Sequence, residues 1–136
     1  MINPNDANLL AFSAEALVYA GRLDEAVERC ERALRINLNC PDWYHWIKAF
    51  ALFHQGKYGD ALAALQRMSS SGYAGRLKAA VYAYLGNQEK AKSEAIQYMN
   101  LVPAFSIRKW VKSEHYADPK ELKRYIEGLR RAGLPN

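Results

Sequence analysis

Three glycines set the frame of this chain. Gly21, Gly56 and Gly86 each follow a large side chain by four residues (Leu17, Leu52, Tyr82) and precede an alanine by five (Ala26, Ala61, Ala91). Glycine alone enters the left-handed backbone region without steric cost, so glycine here closes a helix in a tight turn. The small alanine downstream lets a second helix lie close to the first. The pattern predicts helix, tight turn, helix, three times. The glycines are 35 and then 30 residues apart, so the second junction is the shorter one.

Periodicity fills in the elements. In the first copy a helix is expected over 7–20, with Leu10, Ser13, Ala14 and Leu17 on one face, and a second from Leu23 or Asp24 to Ile36. The acids Asp24 and Glu25 at its start and the bases Arg32 and Arg35 near its end suit the helix dipole. The second copy opens at Pro41-Asp42, with Asp42 as its cap, runs to Gln55, and continues from Tyr58 to Met68. The third is expected over 73–85 and 88–101, stopping before Pro103. Phe105, Ile107, Trp110 and Val111 predict a short amphipathic helix. The last helix has Asp118 as cap, Pro119 at its first position, Glu121 to complete a capping box, and Gly133 at its end. Ile2 to Asp6 matches Ile36 to Cys40 at an offset of 34 residues, which reads as the tail of a preceding repeat and the chain as a piece of a longer protein.

Composition narrows the function classes. Of the 136 residues half are hydrophobic and a quarter charged, as in an ordinary globular chain. No apolar run reaches the roughly 18 residues of a membrane span, and the start lacks a signal-peptide pattern. Two cysteines, Cys30 and Cys40, make neither a disulfide framework nor a zinc site, which fits a reducing cytoplasm. His45 and His54 are nine apart, off any shared metal-binding face. No phosphate loop, nucleophile elbow or paired-carboxylate motif is present, so no enzyme activity and no cofactor is expected.

The three copies resemble tetratricopeptide repeats, a family with a 34-residue period and a large, small, large, Gly, Ala, aromatic, Ala, Pro pattern. The first copy fits at Leu10, Ser13, Ala14, Leu17, Gly21, Ala26, Cys30 and Ala33. The second fits at Ala49, Leu52, Gly56, Tyr58, Ala61 and Leu65, but Lys48 stands where the pattern is apolar. The third fits at Ala79, Tyr82, Gly86, Ala91 and Ala95. The resemblance implies an all-α fold: a right-handed α-solenoid of three helix-turn-helix repeats (7–40, 41–71, 72–103), preceded by the repeat tail at 1–6 and closed by two capping helices in 104–136. Phrases such as Pro41-Asp42-Trp43-Tyr44 and Gly128-Leu129-Arg130-Arg131 also look like the C-terminal repeat region of bacterial multidomain proteins. Those carry a class III adenylate or guanylate cyclase domain or a winged-helix domain. No cyclase motif lies in this chain.

What the resemblance implies is protein–protein interaction, with an unknown protein or peptide, or a domain upstream in the same polypeptide, as partner. The first helices of such repeats line a concave groove. By phase that groove takes Phe12 and Tyr19, then Trp43, Trp46, Phe50 and Phe53, then Tyr73, Arg76 and Tyr84. Exposed aromatics suit recognition, offering large area with few rotors to freeze. The competing reading is that these residues are core, or are covered by the C-terminal helices. The chaperone-binding carboxylate clamp of the family is not met: its places fall on Ala11, Glu15, Ile47, Tyr73 and Leu77, and Glu15 repels a carboxylate. The alternative function is homo-oligomerisation, a homodimer through the repeat edge. Charge is uneven: residues 1–103 carry 11 Lys+Arg against 10 Asp+Glu, and 104–136 carry 8 against 4. Those bases are interleaved with acids, which favours a solvated capping face over nucleic-acid binding.

Overall fold

The computed structural model describes residues 3–70 and 72–136, leaving out the side chains of Pro4 and Tyr73. Among the described residues every regular element is helical, so the chain is all-α: α1 (Pro4–Tyr19), α2 (Leu23–Ile36), α3 (Asp42–His54), α4 (Tyr58–Gln66), α5 (Gly75–Tyr84), α6 (Gln88–Leu101), α7 (Ile107–Trp110) and α8 (Pro119–Ala132). Short 3-10 turns at Gly72–Ala74 and Val111–Ser113 precede α5 and follow α7. No described helix is long and apolar enough to cross a membrane.

The glycine turns are alike in all three copies. Gly21, Gly56 and Gly86 have φ of 82°, 80° and 80°. Each glycine N–H donates to the carbonyl three residues back, Val18, Phe53 and Ala83, at 3.0, 2.9 and 3.2 Å. The next N–H reaches five residues back, to Leu17, Leu52 and Tyr82, at 2.9, 2.9 and 3.0 Å. These bonds satisfy the carbonyls that a helix end leaves open. Ala26, Ala61 and Ala91 are fully buried, as the close approach of paired helices requires.

The chain divides into two compact units, Met1–Ser70 and Ser71–Asn136. The first holds two hairpins, α1 with α2 and α3 with α4, joined by packing of α3 on both α1 and α2. Its beginning differs from expectation. Pro4, Asn5 and Asp6 are not the exit of an earlier helix but the first turn of α1. Asn3 caps this turn, its side chain accepting from the Asn5 N–H at 3.0 Å, and Pro4 takes the position where a missing N–H costs nothing. Asp42 is not the cap of α3; Pro41 holds that place. The Asp42 carboxylate instead accepts from the Ser69 and Ser70 N–H groups at 2.8 and 3.0 Å. It ties down the exit of α4, which ends at Gln66 rather than Met68. These bonds hold its carboxyl below the usual carboxylate range.

In the second unit α8 packs on α5 and α6. The boundary expected at 103/104 falls inside this unit: Phe105 meets the Tyr98 ring edge-on at 5.3 Å, and Trp110 meets Tyr125 at 5.0 Å. The Ile107 N–H donates to the Pro135 carbonyl at 2.8 Å, fastening the short helix to the end of the chain. The capping box of α8 is half formed. Asp118 accepts from the Lys120 N–H at 2.9 Å, but Glu121 folds inward and is buried, with Oε2 unbonded among the described residues. Burial and the neighbouring Asp118 push its carboxyl pKa up. Gly133, at φ 98°, ends the helix as expected.

Candidate interaction site

The aromatic residues assigned by phase to one groove separate into three groups. The first lies on α1 and α3. Phe12, Glu15 and Tyr19 fall at i, i+3 and i+7 of α1, and Trp43, Trp46 and Phe50 recur at the same spacing on α3, so each set makes one stripe. The stripes meet ring to ring. Phe12 stacks on Trp43 at 4.5 Å, Tyr19 meets Phe50 at 5.4 Å, and Trp46 stacks on Phe50 at 4.9 Å. Tyr44, buried behind Trp43, meets its ring edge-on at 4.6 Å and donates from its hydroxyl to the Asn8 side chain. Phe12 is 58% exposed, and Tyr19, Trp43 and Trp46 are half-buried.

The second group is core. Phe50 and Phe53 are fully buried, so neither offers surface. The Phe50 ring also meets His54 at 4.9 Å, and Phe53 lies 5.5 Å from Tyr58. Helical spacing puts them in phase with Trp43 and Trp46, but spacing cannot tell a face that meets solvent from one that another element covers.

The third group lies in the second unit, taken up by α8 and its neighbours. The Arg76 guanidinium donates to the Tyr98 hydroxyl at 3.1 Å and the Tyr125 hydroxyl at 3.3 Å, and sits 5.1 Å from the Trp110 ring. No carboxylate pairs with it among the described residues. Phenol oxygens and π faces replace some of the solvation lost on burial. Tyr84 donates to the Arg124 carbonyl at 2.6 Å, with Arg131 over its ring at 5.1 Å. Arg76 and Tyr84 therefore hold the C-terminal helix in place. The Tyr73 side chain lies outside the described residues.

One charge stands out on the α1 stripe. Glu15 lies between the Phe12–Trp43 and Tyr19–Phe50 contacts. It is half-buried, with neither a hydrogen bond nor an ion pair among the described residues. Burial alone raises its pKa above the ordinary glutamate value. For an acid whose folded pKa is raised, the favourable contribution is full below the unfolded pKa and is lost as pH rises through the folded one. Glu15→Gln should therefore raise the melting temperature at neutral pH, and the gain should vanish below the ordinary value of about 4.3. Melting curves of the two proteins across that range check this; a constant difference would contradict it.

The cysteines and histidines divide unevenly. Cys30 is buried, its thiol pKa pushed up to about 12, chiefly by burial, so it is an inert small hydrophobe. Cys40 is not isolated: its Sγ lies 3.5 Å from His45 Nε2. The sequence signal for this pair is the five-residue separation of Cys40 and His45 across the start of α3. Burial raises the Cys40 pKa, so the pair holds a neutral thiol. Among the described residues no three His, Cys, Asp or Glu side chains gather as metal ligands. No family model, curated protein or solved structure matches this chain.

Proposed function

We propose that the chain is a non-enzymatic protein–protein interaction module, built of tetratricopeptide-like repeats stacked as a right-handed solenoid, and that the face of α1 and α3 takes a segment of a partner protein. The observation that carries this reading is the Phe12–Trp43 stack, because an aromatic ring 58% exposed is already fixed in place by a second ring. Such a ring loses little freedom on docking, so most of its buried area counts toward affinity. Tyr19 and Trp46 extend the same patch. Glu15 gives it a sign: a half-buried carboxylate without a partner penalises an acidic segment and favours a neutral or basic one. The phrases that resemble those of bacterial multidomain proteins favour a cytoplasmic, regulatory role beside a further domain.

The test is selection of short displayed peptides on the full chain, followed by affinity measurement on Phe12→Ala. Phe12 is exposed, so its removal should leave the fold intact. Selected peptides should lose ~10-fold or more in affinity, about 1.4 kcal/mol, and should be poor in Asp and Glu. Peptides that bind both proteins alike would place recognition elsewhere.

A second reading, self-association, is favoured by Leu9, 67% exposed beside a cleft of about 430 Å3 whose lining includes Leu10, Ser13 and Ile36. Light scattering over a concentration series separates the two; a monomer at the highest concentration contradicts self-association.

A further inference from the structure

Helix α3 carries a second stripe. His45, Lys48 and Leu52 recur at i, i+3 and i+7, and at 3.6 residues per turn they lie on the side opposite Trp43, Trp46 and Phe50. Here residues of α2, α3 and α4 enclose a cleft of about 630 Å3, a volume within the range of small-molecule sites. Leu34 and Leu52 give it apolar lining, and Arg35, Lys48 and Arg67 bring three cations to it.

Lys48 is the residue that departs from the repeat pattern, standing where an apolar side chain is expected. It is half-buried, and its ammonium has no hydrogen bond or ion pair with a described residue. His45 is in a similar position. Its Nε2 faces the Cys40 sulfur, while its Nδ1 is buried and unbonded among the described residues. Burial, then the positive charge of Arg67, lowers the ring's proton affinity; Lys48 acts in the same direction. Asp42 opposes them, but its carboxylate is already bound to Ser69 and Ser70. The two acids that line the cleft, Glu31 and Asp60, are exposed and pair with neither Lys48 nor Arg67.

A half-buried ammonium and a buried ring nitrogen without partners are costly to desolvate. An oxyanion would supply acceptors to both through charge-assisted hydrogen bonds. We propose that this cleft binds a small organic anion, its oxyanion head held by Lys48, Arg67 and His45 and its apolar tail lying along Leu34 and Leu52. Bound negative charge offsets the cations around His45, so the ring's pKa rises on binding and affinity tightens as pH falls through it.

Titration of the full chain with hexyl phosphate, followed by the His45 ring signals in NMR, tests this. Inorganic phosphate and hexylammonium serve as counter-probes. Hexyl phosphate should shift the ring signals saturably and raise the ring's pKa. Inorganic phosphate, without the tail, should bind ~10-fold more weakly or worse, and hexylammonium should leave the signals unmoved. Lys48→Met restores an apolar residue at a position whose pattern asks for one, and Arg67→Gln alters an exposed side chain, so both should fold. Each should weaken hexyl phosphate by ~10-fold or more. Unchanged affinity in both variants, equal binding of hexylammonium or of inorganic phosphate, or His45 signals that do not move would each overturn the proposal.

Discussion

Replacing Phe50 by Ala is expected to cost about 3–5 kcal/mol of stability, the range for truncating a fully buried aromatic. Its ring is fully buried and meets Tyr19, Trp46 and His54 within 5.4 Å. Truncation removes the transfer term and leaves a cavity that rigid helices fill poorly. It also removes the contact that sets Trp46 and Tyr19 in the proposed interaction face, so any binding there should fall along with stability. Denaturant unfolding followed by the fluorescence of Trp43 and Trp46, in a Trp110→Phe background, measures this in the first unit. A loss under about 1 kcal/mol, the usual range for a surface substitution, would mean that Phe50 is not core.

Gly128→Val is expected to break the second unit rather than the first. A Cβ at Gly128 would lie 2.9 Å from Tyr84 Cε2 and 3.0 Å from Ala80 Cβ, with the Ala80 backbone at 3.3 Å. Tyr84 cannot swing aside freely, because its hydroxyl is bonded to the Arg124 carbonyl. Ala80 has no rotamer to give. Helix propensity favours valine over glycine by less than ~1 kcal/mol, but overpacking at a fixed helix crossing costs about 1–3 kcal/mol, occasionally more. Valine adds two further methyl groups, so a net loss near ~3 kcal/mol is expected. Trp110, in contact with Tyr125 on α8, reports it by fluorescence. Wild-type stability in this variant would contradict the close approach of α8 to α5.

The hairpins were legible because they rest on local chemistry. A glycine with φ near 80° and a buried alanine five residues on are demanded by one turn, and each copy repeats the demand. The helix ends were less legible because side chains chose partners far along the chain. Asp42 reads as a cap but bonds Ser69 and Ser70, 27 and 28 residues away. Glu121 reads as half of a capping box but is buried instead. Pro4 belongs to α1 because Asn3, outside any apolar period, caps it.

The candidate site was legible in part. Phase placed Phe12 with Tyr19 on one face of α1 and Trp43 with Trp46 on one face of α3, because helical spacing fixes which residues share a face. It could not separate Phe50 and Phe53 from them, since burial depends on what packs against the face. Arg76 and Tyr84 were drawn into packing with α8, in line with the competing reading of cover by the C-terminal helices, but helical spacing could not say which groove residues that cover would take. Lys48 was visible only as an exception to the pattern. Its meaning comes from the cleft that α2 and α4 build around it.

The most direct test of the interaction reading is photo-crosslinking in cells from a benzoylphenylalanine placed at Phe12, with the same group at Ile96 as control. Ile96 is 62% exposed on α6, in the second unit. The account predicts a discrete crosslinked species from position 12 that contains another polypeptide, is missing from position 96, and disappears when Glu15 and Trp43 are replaced. Identical products from both positions, none from position 12, or only a species of twice the chain mass would contradict a partner-binding face on α1 and α3.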